Sequence, residues 1–312
     1  MAIQVMKFDS DSNLRARSPM QLLDPKVLAS LSNLELVAKA VVEGFVIGLH
    51  RSPKFGFSQE FVEYRAYGEG DDPRYIDWNV YARTDKTYIK RFLGETNSHL
   101  MILLDSSASM GYGSNGLSKL QVGKYLGAAL AYMASRQHDA VGTMVFADEV
   151  LAYRPPASRS GSFQGVIHTL DKAEALKGTA IDKPMTRFQE HIRRRGLVAV
   201  ISDFYCDTEE LMNNVRPLAV QGQDVILFHL LDPAEIAPQL KTSTLFEDME
   251  TGHAIEVSPA FMQTEYRERI DAHIKAIQSA ASGMRCDHVL INTAEPLDKA
   301  LHSYLTFREK RG

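Results

Sequence analysis

From residue 100 onward, short apolar runs alternate with amphipathic segments along the chain. The apolar runs cover residues 100–105, 140–148, 197–203, 224–232 and 288–292. Runs of this length without polar interruption are typical of strands that are buried on both faces of a sheet. The amphipathic segments at residues 117–137 and 184–195 predict helices, the second one capped by Gly196. This alternation predicts an α/β fold with a doubly wound, mainly parallel sheet and right-handed crossovers.

Three further segments complete the predicted architecture. The sequence "VLAYRPP" follows the second apolar run so closely that it predicts one antiparallel edge strand, which Pro155 and Pro156 close off. Residues 244–258 alternate like a hairpin, and residues 259–282 predict a long helix. A further helix is predicted around residues 34–48.

These patterns predict two parts of the chain. Residues 1–97 hold the N-terminal helix and a polar, turn-rich segment. Residues 98–312 form the α/β domain, and the hairpin and long helix form an insertion within it at about residues 233–285.

Composition and charge narrow the classes of partner and compartment. The chain has 312 residues, of which 45% are hydrophobic and 24% charged, as expected for a globular protein with an ample core. A formal net charge of −4 argues against nucleic-acid binding through phosphates. The two cysteines, Cys206 and Cys286, lie far apart, which fits a reducing compartment. Neither a signal peptide nor a membrane span is visible, so we expect a cytoplasmic protein.

Polar residues cluster where the predicted strands end. Asp105 closes the first apolar run, with Ser107 and Ser109 in the loop behind it, and Asp203 closes the third run. Thr179 lies just ahead of a predicted helix. Ligands of doubly wound sheets bind outside the carboxyl ends of the strands. Because all five side chains offer oxygen, the sequence predicts a site for Mg²⁺ or Mn²⁺ that keeps some positions open.

Simpler interpretations of these residues remain open. Serine and aspartate often cap helices, so the serines and Thr179 can be caps, and Asp203 can be an ordinary carboxylate at a strand end. A Mg²⁺-dependent phosphatase or hydrolase is the alternative function, with Asp105 as the nucleophile. That class usually has a second carboxylate two residues further on, where this chain has Ser107. The chain contains neither a phosphate loop nor a nucleophile elbow.

The segment Asp105-Ser106-Ser107-Ala108-Ser109 resembles the Asp-x-Ser-x-Ser signature of the metal-ion-dependent adhesion site in von Willebrand factor A domains. Thr179 and Asp203 follow in the order in which that family keeps its second-loop threonine and third-loop aspartate. The resemblance implies that Ser107, Ser109 and Thr179 coordinate Mg²⁺, Mn²⁺ or Ca²⁺ directly. Asp105 and Asp203 then act by direct contact or through water, and an Asp or Glu of a partner protein fills the open position.

A second resemblance covers residues 56–95, which look like the hallmark segment of the DUF58 family. The matching residues are Glu63, Arg65, Gly70, Asp71, Asp72, Arg74, Asp77, Trp78, Ala82, Arg83 and Thr84. The family joins such a segment to a von Willebrand A domain, and its members are linked to MoxR-type AAA+ ATPases. We interpret Trp78, the single tryptophan, as a core residue, and the alternative is that it anchors an interface with a partner.

Together these features predict a function without catalysis. We expect a divalent-metal-dependent protein-interaction module. By resemblance, it is a chaperone-like adaptor that works with a MoxR-type ATPase in the assembly or maturation of protein complexes.

Overall fold

A computed structural model describes most of the chain beyond residue 98 and several segments before it. The residues described are 28, 29, 31, 33–50, 61–66, 68, 78, 80, 81, 87–92, 99–176, 178, 180–192, 194–247, 253–284 and 286–309.

A six-stranded sheet forms the centre of the fold. Its strands are β3 (His99–Asp105), β4 (Ala140–Phe146), β5 (Val150–Ala157), β6 (Leu197–Ser202), β7 (Asp224–Leu231) and β10 (Asp287–Asn292). They lie in the order β10-β7-β6-β3-β4-β5, and every neighbouring pair is parallel except β4 with β5. The predicted fold class and its antiparallel edge strand are therefore confirmed.

Helices connect the strands and cover both faces of the sheet. They are α1 (Leu34–His50), α2 (Lys119–Arg136), α3 (Ser162–Asp171), α4 (Asp182–His191), α5 (Thr208–Val220), α6 (Pro233–Ile236), α7 (Pro259–Phe261), α8 (Arg267–Ser282) and α9 (Asp298–Glu309). A π-helical segment, Met262–Tyr266, joins α7 to α8. Two smaller antiparallel pairs accompany the sheet, formed by β1 (Phe61–Ala66) with β2 (Tyr88–Phe92) and by β8 (Thr244–Glu247) with β9 (Ala254–Val257).

The sheet separates two apolar cores, and β3 contributes to both. Its residues Leu100, Ile102 and Leu104 face the core that contains α1, α2, α3 and α9, while Met101 and Leu103 face the core beneath α4, α5 and α8. This arrangement explains the uninterrupted apolar run, because both faces of a central parallel strand are covered. Helix α1 packs against α2 and thereby belongs to the first core.

The strand order reverses beside β3, and this reversal positions the candidate site. The chain leaves β3 for β4 on one side and returns later to β6 on the other side. The loops that follow β3 and β6 therefore lead to helices on opposite faces of the sheet, α2 and α5, and the carboxyl edge between them is where ligands of doubly wound sheets bind.

The structure corrects the predicted end of one helix and the predicted role of Gly196. Helix α4 ends at His191 and not at residue 195, and Ile192 already has extended backbone. Gly196 is not its cap. A Cβ atom at Gly196 would lie only 2.4 Å from the carbonyl oxygen of His99, so glycine is needed where β6 approaches the start of β3.

The prediction that Trp78 belongs to the core is wrong. Its side chain is 62% exposed and meets the ring of Tyr81 edge to face, with the ring centres 6.0 Å apart. Pro155 and Pro156 were predicted to end the edge strand, but both lie within β5. That position is tolerated because β5 is an edge strand of the sheet.

Within the parts of the chain that the structure describes, none of the helices combines the length and the apolar character needed to cross a bilayer.

The close packing of β4 between its neighbours yields a first prediction. A Cβ atom at Gly142 would lie 2.6 Å from the carbonyl oxygen of Arg154 and 2.8 Å from the sulfur of Met101. We expect Gly142→Ala to lower the free energy of unfolding by about 1–3 kcal/mol, as overpacking does. Gly127→Ala on α2 is the matched control, because its Cβ would make ordinary contacts starting at 3.4 Å. Urea unfolding followed by circular dichroism measures both, and equal stabilities would refute the assigned packing.

Candidate metal site

Asp105 lies at the end of β3 and connects this strand to β6 through a hydrogen bond. Its carboxylate is buried, with the residue only 6% exposed. Oδ1 accepts a hydrogen bond of 2.8 Å from the backbone N–H of Ser107, and Oδ2 accepts one of 2.6 Å from the hydroxyl of Ser202. Ser202 is the last residue of β6, and its Oγ also accepts the N–H of Phe204 at 2.9 Å. The loops behind β3 and β6 are thus held together through Asp105.

The two serines of the motif lie side by side. The hydroxyl oxygens of Ser107 and Ser109 are 3.1 Å apart, with Ser107 buried and Ser109 partly exposed. Ser107 precedes a short 3₁₀ helix, Ala108–Gly111, but among the described residues its side chain accepts no capping hydrogen bond. Helix α2 is capped instead by Ser118, whose Oγ accepts the N–H of Gln121. Helix capping therefore does not explain Ser107.

Asp203 follows β6 directly and is buried. Its Oδ1 accepts a long hydrogen bond of 3.4 Å from the N–H of Tyr205, and its Oδ2 lies 2.8 Å from Nζ of Lys119. The next residue, Phe204, has a left-handed backbone with φ of 48°. Such a conformation is costly for a bulky residue and persists where packing enforces it. The turn that presents Asp203 is therefore firmly set.

Thr179 lies outside the described residues, but its neighbours approach the serine loop. The N–H of Leu176 donates to the carbonyl oxygen of Ser106 at 2.9 Å, next to a bridge between Ser107 and Leu176. The N-cap position of α4 belongs to Ile181. The structure thus brings Asp105, Ser107, Ser109 and Asp203 to one edge of the sheet, and the role of Thr179 stays a prediction.

The two carboxylates influence each other electrostatically. Burial, and after it the negative charge of Asp203, raise the pKa of Asp105 from 3.8 to about 6, although hydrogen bonds from Ser202 and Ser107 oppose the rise. A buried carboxylate beside a like charge is costly to ionise. A cation placed against these oxygens would relieve that cost.

The donor set fits a hard divalent cation. Carboxylate and hydroxyl oxygens suit Mg²⁺, Mn²⁺ and Ca²⁺. Adjacent ligands in an octahedron with metal–oxygen bonds of about 2.0–2.1 Å lie about 2.9 Å apart, close to the 3.1 Å between the serine hydroxyls. Within the described ranges, no group of three or more His, Cys, Asp or Glu residues is arranged as a metal site. The candidate site therefore depends on its hydroxyls.

Three polar residues at this site were not predicted from the sequence. Ser202 holds Asp105, and its position beside Asp203 at a strand end was the signal that could have found it. Lys119 and Glu235 form an ion pair of 2.6 Å across 116 positions of sequence. No local pattern indicates that pair.

The fold and site define an α/β protein with oxygen-rich loops at the switch point of a doubly wound sheet. Residues 63–280 match the family model described as protein of unknown function DUF58, and the chain belongs to this family. The resemblance identified in the sequence is confirmed to that extent. The uncharacterized protein Rv1480 of Mycobacterium tuberculosis is 28% identical over 241 residues, which span 75% of this chain and 74% of the relative.

Two solved structures are also similar. BatB from Bacteroides thetaiotaomicron, a conserved hypothetical protein, is 18% identical with a TM-score of 0.48, covering 68% of this chain and 99% of that one. The SpRpn10 VWA domain is 15% identical with a TM-score of 0.38, covering 66% and 94%.

The burial of Asp105 yields a prediction about the metal-free protein. Raising the pKa of this carboxyl from 3.8 to about 6 disfavours its ionised form, a cost that is absent below pH about 4 and complete above pH about 6. We expect Asp105→Asn to raise the free energy of unfolding in EDTA by about 1–3 kcal/mol at pH about 8, with little gain at pH about 4.

Urea unfolding at the two pH values measures this difference. Asp271→Asn, at an exposed position of α8, is the control and should change stability little at either pH. A loss of stability in Asp105→Asn at the higher pH would contradict the electrostatic account.

Proposed function

We propose that this protein is a divalent-metal-dependent protein-interaction module without catalytic activity. The observation that carries the proposal is the convergence of two buried carboxylates, Asp105 and Asp203, with the paired hydroxyls of Ser107 and Ser109. Asp105, Ser107 and Asp203 are buried while Ser109 is partly exposed, so a partner would reach the oxygen cluster from the side of Ser109.

The five predicted residues would contribute to ion binding in two ways. Ser107 and Ser109, together with Thr179, would bind it directly, and Asp105 and Asp203 would supply negative charge by direct contact or through water. When bound, Mg²⁺ supplies a positive centre with an open position that attracts an Asp or Glu side chain of the partner. Mn²⁺ or Ca²⁺ can serve the same purpose.

Apolar surface beside the site supports a protein partner. Leu176 and Tyr205, in the loops that adjoin Ser107 and Asp203, are 44% and 37% exposed. Exposed large apolar side chains next to a charged anchor are typical of the centre of an interface. The partner would therefore present an acidic residue flanked by apolar side chains.

Family membership suggests the identity of the partner. DUF58 proteins are linked to MoxR-type AAA+ ATPases, and we propose that this chain is an adaptor for such an ATPase in assembling or maturing protein complexes. The ATPase would supply the hydrolysis, since the sequence carries no phosphate loop.

The geometry of Asp105 argues against the phosphatase alternative. Both of its carboxylate oxygens accept hydrogen bonds, from Ser107 and from Ser202, and the residue is almost completely buried. A nucleophile must instead reach the substrate. Turnover of a generic phosphate ester with Mg²⁺, lost in Asp105→Asn, would favour the enzyme.

The serine pair gives the direct test of the proposal. We expect Ser107→Ala/Ser109→Ala to abolish Mg²⁺ and Mn²⁺ binding measured by calorimetry, because two of the neutral oxygen ligands are removed. The same variant and EDTA should each abolish capture of a MoxR-type ATPase from native lysate.

Ser135→Ala is the control, since that hydroxyl donates to the carbonyl oxygen of Tyr132 within α2. It should bind the metal and the ATPase like the wild type. Capture that persists unchanged in EDTA and in the double variant would refute the metal-dependent mechanism.

A further inference from the structure

Lys119, the first residue of α2, is a fully buried cation at the candidate metal site. Its residue exposure is 0%, and its ammonium group lies 2.8 Å from Oδ2 of Asp203 and 2.6 Å from Oε1 of Glu235. A buried lysine is very costly unless it is paired, and here two carboxylates pair with it. The two ion pairs hold Lys119 in its charged form.

Aromatic rings enclose the remaining side of the ammonium group. Nζ lies 4.8 Å from the ring centre of Tyr205 and 5.8 Å from that of Tyr112. Both distances fall within the range of cation–π attraction. The positive charge of Lys119 is thus fixed in place beside Asp203 and shielded from water.

Glu235 gives Lys119 a second partner that is itself held firmly. Its other oxygen, Oε2, accepts the backbone N–H of Asp232 at 2.8 Å in the capping box of α6. The Asp232 carboxylate in turn accepts the N–H of Ser114 at 2.9 Å. Lys119 can therefore remain paired with Glu235 when Asp203 interacts with another cation.

The ammonium group of Lys119 and a divalent ion would both interact with the carboxylate of Asp203. Asp203 offers Oδ2 to Lys119, and the same carboxylate is one of the predicted ligands of the metal ion. Two cations near one carboxylate repel each other and divide its negative charge. In the metal-free protein, Lys119 therefore neutralises the negative charge of Asp203. The same ion pair lowers the attraction of Asp203 for a metal ion.

We propose that Lys119 is a resident cation that competes with the divalent metal ion for Asp203 and so sets the metal affinity of the site. This inference rests on the proposed function, because it concerns the same metal site. Its consequence is that the metal is exchangeable, since Lys119 still neutralises Asp203 when the metal is absent. Lys119 then acts on metal affinity and not through contact with the partner.

Calorimetric titration of the full chain with Mg²⁺ and Mn²⁺ tests the proposal. We expect Lys119→Met to bind both ions about tenfold more tightly or better, because a positive charge a few ångströms away opposes the metal even at an effective dielectric constant of about 20. Lys124→Met on the same helix is the matched control. Its ammonium donates to the backbone carbonyl of Asp171 at 2.8 Å, and its loss should leave metal affinity unchanged.

A second pair of variants keeps the test decisive if Lys119→Met folds poorly. Glu235→Gln leaves Lys119 with Asp203 as its carboxylate partner, so metal should bind more weakly than in the wild type. Lys119→Met/Glu235→Gln removes a cation together with an anion, and should bind metal more tightly than Glu235→Gln. Circular dichroism confirms folding of each variant.

The outcomes separate this inference from the proposed function. If the wild type binds metal and neither lysine variant binds it more tightly than its reference, the role of Lys119 is refuted while the metal site stands. If only the lysine variants bind metal, Lys119 closes the site in the natural protein, which supports the competition but overturns metal-dependent function. Absence of binding in all variants overturns both.

Discussion

Two carboxylates are buried side by side at one edge of a parallel sheet, and the cost of keeping their like charges out of water determines the arrangement around them. Asp105 receives a backbone N–H and the hydroxyl of Ser202, and Asp203 receives the ammonium group of Lys119. Hydrogen bonds thus stabilise the negative charge of Asp105, whereas an ion pair stabilises that of Asp203. The pKa of Asp105 still remains raised, to about 6, by burial and by Asp203, so the compensation is incomplete. A divalent cation would complete it.

The fold creates this situation because parallel strands end at the same edge. Strand β3 lies between β6 and β4 in the sheet. The chain passes from β3 to β4 on one side and later adds β6 on the other side. The last residues of β3 and β6 therefore lie next to each other at this edge, where Ser202 donates a hydrogen bond to Asp105. Apolar side chains on both faces of β3 fix its depth and so leave Asp105 buried rather than at the surface. The buried carboxylate is a direct consequence of the sheet topology.

Much of this arrangement was predictable from local sequence. The apolar runs predict the strands because a strand covered on both faces has no polar side, and the residue that ends each run predicts the polar cluster. Asp105, Ser107, Ser109 and Asp203 were found in that way. Thr179 was selected from its position ahead of a predicted helix and from the resemblance, and its role remains a prediction.

Contacts between distant segments were not predictable. Lys119 begins an amphipathic helix, where a lysine is ordinarily exposed, and its burial depends on Glu235, which lies 116 positions away. Gly196 resembled a helix cap although its role is close approach to His99. Trp78 was assigned to the core because of its residue type. It is instead exposed and meets the ring of Tyr81 edge to face. In each case the deciding interaction is tertiary, and residue type alone does not encode it.

We propose that the loops that follow β3 and β6 form one divalent-cation site. A crystal structure of the protein grown with Mn²⁺, with anomalous scattering used to locate the ion, tests this most directly. The account predicts a single strong anomalous peak within coordination distance of the hydroxyl oxygens of Ser107 and Ser109, with the carboxylates of Asp105 and Asp203 beside it. The absence of an ion beside these residues at saturating Mn²⁺, or an ion bound only elsewhere on the molecule, would contradict it.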